Sequence, residues 1–221
     1  MSTGHSQHEP GSLWHLFEFG ANFSKISTVM LHVLPVLCLP ASPLADGTTA
    51  ASALFFRNAA LQVAIFLPLV QLPVLLTGKM GYVDIGWPLG LFSMGLLVLH
   101  DVLALGDAAS TQGDARDPAR PLRAMLTGLV LVLHGGRMLL GALVLFFPYD
   151  FKSGDLARYR FAQVRFVELC GMPAKLWPLR MQHDTLQQAA ANAVFLGSMA
   201  CLLAGDFFRA AGPAVAAPSG G

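Results

Sequence analysis

The sequence predicts an all-α, polytopic membrane helix bundle with four or five transmembrane helices and a basic interfacial segment. Two observations carry that expectation. Residues 53–76, 86–106, 122–147 and 186–208 are long apolar runs. Each has about the 20 residues that a helix rising ~1.5 Å per residue needs to cross a ~30 Å hydrocarbon core. A shorter run, 26–40, is the fifth candidate. Composition agrees, with 54% hydrophobic and 12% charged residues and a mean hydropathy of +0.57. About a quarter of a soluble domain is charged. A soluble chain of 221 residues could bury one such helix at its centre, but not four.

Taken in order, residues 1–24 form a polar lead with an aromatic patch, Trp14, Phe17 and Phe19, suited to headgroup level. The transmembrane domain covers 25–210. Its first run contains Pro35 and ends among Pro40 and Pro43, so it is short and bent. The second holds Pro68 and Pro73, breaks that neighbouring helices or water can satisfy. A tight turn at 77–81 leads into the third. The fourth closes at Pro148. Residues 149–184 are the long polar region, read as short interfacial helices with Phe161, Val164, Phe166 and Val167 as apolar contacts. Residues 211–221, rich in Pro, Ala and Gly, form a tail without a fold of its own.

With five crossings, one side carries Lys25, Lys79, Lys152, Arg158, Arg160, Arg165, Lys175 and Arg180. The other carries Arg57, Arg116, Arg120, Arg123 and Arg209. The positive-inside rule assigns the first side to the cytosol, matrix or stroma. No Lys or Arg precedes Lys25, so the start resembles neither a secretory signal nor an Arg-rich transit peptide. Net charge is +1, which offers no general attraction to nucleic acid. Cys38, Cys170 and Cys201 lack metal-ligand spacing, and no metal site is expected.

Ionisable residues at bilayer depth are the functional candidates. Counting helical rise from each apolar start puts His100 and His134 about 10 Å apart in depth, too far to share one metal centre. The same count puts Arg137 near the level of Asp84, Tyr82 and Trp87. An Asp84–Arg137 ion pair is therefore expected. Arg137 would form the floor, and Arg158 and Arg160 the rim, of an anion pocket on the basic side. Gly86, Trp87 and Gly90 open the third run with a Gly-x-x-x-Gly spacing, which lets a neighbouring helix approach closely. Gly135, Gly136 and Gly141 supply small residues on the fourth.

At these residues the chain resembles the steroid 5α-reductase-like membrane protein family. Gly81 to Leu91 (GYVDIGWPLGL) is similar to that family's "vDi.WglG" opening, and Leu133 to Leu140 (LHGGRMLL) to its "lWglRLa" helix. Asp155 to Arg160 (DLARYR) is similar to "dpRYr", and Lys175 to Gln182 (KLWPLRMQ) to "f.mQ". Order and spacing agree over about residues 78–205. The resemblance implies a helical fold related to reductases that use NADPH to saturate a carbon–carbon double bond in sterols or other lipids. It implies a structural or site role for Asp84, Trp87, Arg137, Arg158 and Tyr159. Under it, Arg137, Arg158, Tyr159 and Arg160 are the cofactor-binding candidates. The family's C-terminal "sRHPNYfGE"-type cofactor signature has no counterpart here, so no catalytic residue is assigned.

The expected function is that of a non-catalytic accessory subunit with a truncated reductase-like fold. Its partners would be membrane lipids and other subunits of an energy-converting complex, whether respiratory, ATP synthase or photosynthetic. An organellar inner membrane, mitochondrial or plastid, is the favoured location, with the endoplasmic reticulum as the alternative. The alternative function is an NADPH-dependent reductase of a lipid or sterol double bond, alone or completed by a partner. In that reading NADPH is the cofactor; otherwise none is expected.

Overall fold

The computed structural model describes residues 50–110, 119–144, 154–197, 199, 200, 203, 204 and 207. The lead, the run at 26–40 and the tail lie outside them. The described chain is almost entirely helical, and no strand forms among the described residues. Three of its helices are long and apolar enough to cross a membrane, Ala50–Thr77, Met80–Leu105 and Pro121–Val144.

The first of these begins as α1 (Ala50–Phe66), passes through one π-helical turn (Leu67–Gln71) and continues as α2 (Leu72–Thr77). Pro68 lies in that wide turn. Proline has no N–H to donate, and widening the turn is one way the backbone accommodates it, here by the Leu72 N–H bonding to Leu67 O. Gly78 then ends the helix in the left-handed region, at φ 69°, with its N–H on Val74 O at 2.9 Å. A residue with a Cβ would be strained there, so glycine fits the hairpin turn. A 3₁₀ turn (Met80–Tyr82) starts α3 (Val83–Ser110). α4 (Ala119–Gly141), the short α5 (Ala157–Val164) and α6 (Trp177–Ala191) follow. A further π turn (Asn192–Leu196) extends α6.

α3 and α4 share the most extensive contact in the fold. A Cβ on Gly95 would lie 2.6 Å from Val132 N, and one on Gly135 would lie 2.4 Å from Phe92 N. Two backbones this close leave no room for side chains between them, which is how apolar helices gain contact in lipid. The same contacts fix an antiparallel register, with Gly128 facing Leu99, Gly135 facing Phe92, and Arg137 level with Gly90.

α6 runs antiparallel to α1, since Gln182 meets Gln71, Asn192 meets Gln62 and Gly197 meets Phe55. Two apolar clusters fill the bundle. Leu54, Phe55, Met94, Val98 and Leu131 anchor one; Phe66, Val70, Phe166, Trp177 and Met181 anchor the other. The run expected at 186–208 thus belongs to a helix that starts earlier, at Trp177. Its first two turns carry Arg180, Gln182, His183 and Asp184, and residues 198, 201, 202, 205, 206 and 208 of that run lie outside the described residues. Ala200, Ala204 and Phe207 still reach the first cluster.

Candidate functional site

Four polar groupings lie between the helices. The first joins the start of α3 to the segment before α5. The Asp155 carboxylate accepts hydrogen bonds from Met80 N at 2.6 Å and Gly81 N at 3.0 Å, and also from Leu156 N at 3.0 Å. These are the orphan donors of a helix start, and a carboxylate is a favourable group to meet them. One turn on, Asp84 of α3 reaches back. It holds the Arg158 guanidinium in an ion pair and accepts the Tyr159 hydroxyl at 3.3 Å. Arg158 also donates to the Tyr159 oxygen at 3.3 Å. Two aspartates, one from each side, therefore clamp residues 155–159 onto the start of α3.

Burial, and after it the Asp84 charge, pushes the Tyr159 phenol well above its ordinary range. Burial works against the Arg158 charge, but the Tyr159 and Asp84 oxygens outweigh it and raise its pKa. Tyr159 is accordingly a neutral hydrogen-bond donor at physiological pH.

Further along, Phe166 and Val167 turn inward, whereas Phe161 and Val164 are exposed. Arg180 is almost wholly buried, lies 4.4 Å over the Phe166 ring and pairs with Asp184 at 3.2 Å. This second grouping pins α6 against the π turn that follows α5 (Arg165–Leu169).

The third is an amide ladder linking α1, α3 and the end of α6. Gln62 Nε2 donates to Asn58 Oδ1 at 3.0 Å and to Gly90 O at 3.2 Å. Asn192 Nδ2 donates to Gln62 Oε1 at 3.2 Å, and Asn58 Nδ2 to Ala193 O at 2.9 Å. Asn58, Gln62 and Asn192 have no exposed surface. Trp87 Nε1 adds a bond to Gln188 Oε1 at 2.6 Å. The fourth lies at the other end, where buried Asp101 pairs with Arg57 of α1 and with His100 Nδ1 at 3.1 Å.

Against the expectations, the Asp84–Arg137 pair does not form. Asp84 takes Arg158 instead, and Arg137 is exposed on α4. The α3–α4 register explains the correction. Arg137 is level with Gly90, six residues and about 9 Å from Asp84 along the axis. Counting each run from its own apolar start takes no account of the register that Gly95, Gly128 and Gly135 set between α3 and α4. Arg158 and Tyr159 stand together, whereas Arg160 is exposed on α5. Of the three arginines, Arg158 is engaged by Asp84, and Arg137 is offset from that carboxylate along the axis.

Gly86 and Gly90 face α1 and the end of α6. A Cβ on Gly86 would lie 2.4 Å from Val70 Cγ2, and one on Gly90 would lie 2.3 Å from Gln62 Oε1. His134 and His100 are seven residues apart in register, about 10 Å. No cluster of metal-ligating residues occurs among the described residues.

Sequence reasoning named none of these four groupings as they stand, although the last two left a signal. Arg57 lies twenty residues before Thr77 and Asp101 twenty after Gly81, so a hairpin turning at 77–81 brings them level. Asn58 and Gln62 are an i, i+4 pair on one face of an otherwise apolar run.

The arrangement can hold helices in register, each pair tying one element to another. Comparison with family models, with curated proteins and with solved structures finds no match for this chain.

Proposed function

We propose that this protein is a non-catalytic helical subunit of a larger membrane assembly. The observation that carries the reading is the commitment of Arg158. The guanidinium at the centre of the expected anion pocket is held by Asp84 and Tyr159. Arg137 stands about 9 Å away from that carboxylate along the bundle axis. A dinucleotide's phosphates need cations that converge, and here the charges are used to latch a segment onto a helix. The polar groups within the bundle serve helix register in the same way.

Gentle purification from native membranes tests this. The expected result is co-migration with other membrane subunits, whose identity then names the assembly as respiratory, ATP synthase or photosynthetic. A lone protein carrying bound nucleotide overturns it.

One observation favours a second reading, an NADPH-dependent reductase of a lipid or sterol double bond. Asp84, Arg158 and Tyr159, taken from two separate motifs of the family resemblance, meet in space. Trp87 of the first motif bonds Gln188, six residues beyond the last. NADPH binding by the isolated protein, lost in Arg158→Ala with the fold intact, supports this alternative. Undetectable binding at ~1 mM NADPH, with and without native partners, ends it.

A further inference from the structure

α4 turns Ala124, Gly128, Leu131 and Gly135 toward the bundle and leaves a broad face outward. That face carries Leu126, Val130, Leu133 and Leu140, all more than half exposed. Between them stand His134 and Arg137, one turn apart and both exposed. Arg137 makes no ion pair with any described carboxylate. It lies seven residues inside the Val144 end of its span, about 10 Å along the helix axis.

We propose that this face docks a transmembrane helix of a different protein, one that presents an Asp or Glu side chain at the depth of Arg137. The inference rests on the subunit reading above and names the chemistry of the partner. A guanidinium is always charged and carries five donors. In hydrocarbon, such a group is costly unless it is paired or faces water. The aliphatic neighbours on the same face attract no water.

A second copy of this chain does not meet the requirement. Packing the face against itself would set two Arg137 guanidinium groups together. The carboxylates described within the spans are already engaged, Asp84 by Arg158 and Asp101 by Arg57. No carboxylate described within the spans is left for Arg137, so the proposal commits to a foreign one, with His134 offering a second polar contact one turn away.

A photo-reactive side chain in place of Leu133, in the full chain within native membranes, tests the proposal. The expected product is a cross-link to one partner helix containing Asp or Glu. Arg137→Leu is expected to lower both cross-link yield and co-migration by about tenfold or more, and Arg137→Lys to retain them. Replacing the partner's carboxylate by lysine is expected to restore Arg137→Glu. Because Arg137 pairs with no described carboxylate of its own chain, the thermal midpoint of Arg137→Leu stays at the parent value.

Cross-links to lipid alone, or to a second copy of this chain, overturn the proposal. So does an Arg137→Leu variant that remains fully assembled; the subunit reading then stands without this face. A parent chain that migrates alone refutes the subunit reading, and the docking face with it.

Discussion

Asp84, in the first turn of α3, holds the guanidinium of Arg158 from 74 residues away in sequence. The pair is partly exposed, so its direct energy is small, about 0.5–1 kcal/mol once solvent screening is allowed for. Its effect is local, because α5 contains no fully buried residue of its own. Asp84→Asn is therefore expected to speed amide hydrogen exchange across residues 157–164 and leave α3 and α4 unchanged. Asp155→Ala, which strips the cap from Met80 and Gly81, should cost about 1 kcal/mol and loosen the same segment. Unchanged exchange in both variants would refute the clamp.

Gly135 brings α4 onto the backbone of α3. Gly135→Ala places a methyl group 2.4 Å from Phe92 N, an atom that cannot turn aside. The helices must separate, at about 1–3 kcal/mol. A methyl group on Gly141 would meet nothing within 4 Å, so Gly141→Ala serves as the neutral control. Unfolding midpoints in mixed detergent should separate the two variants.

Gln62 joins three elements through its amide. Gln62→Leu leaves Asn58 Oδ1, Asn192 Nδ2 and Gly90 O without this partner. The expected destabilisation is about 1–2 kcal/mol, less than in water-soluble cores because an unfolded helix in lipid also finds partners. Gly90→Ala should act through the same ladder, since its methyl would strike both amides. A double-mutant cycle of the two is expected to be strongly non-additive.

Tyr159 supplies a pH dependence. Its phenol ionises above the ~10 of an unfolded tyrosine, so the folded chain keeps the proton longer. Below about pH 10 both states hold the proton and the contribution to stability is fully present. As pH rises further, the unfolded state loses the proton first, and stability falls until the folded phenol also ionises. The tyrosinate absorbance of the parent chain minus that of Tyr159→Phe should show one residue titrating late in the folded state and near pH ~10 in denaturant. A normal titration in both states would refute the burial argument.

The one-dimensional pattern was enough for the helical class, for three apolar rods and for the hairpin at Gly78, where only a residue without a Cβ sits comfortably at φ 69°. Those features depend on local quantities, namely the length of an apolar run and the backbone freedom of one residue. The ionic partner of Asp84, the helices that Gly86 and Gly90 touch, and the ladder through Gln62 emerged only from the assembled bundle. Hydropathy along a chain sets how deep a residue can lie. It does not set the axial offset between two helices or the direction in which a side chain leaves its axis. Both are decided where backbones meet, at contacts such as Gly135 on Phe92: the register sets Arg137 six residues from the level of Asp84, and turning Gly135 inward leaves Arg137 on the outer face.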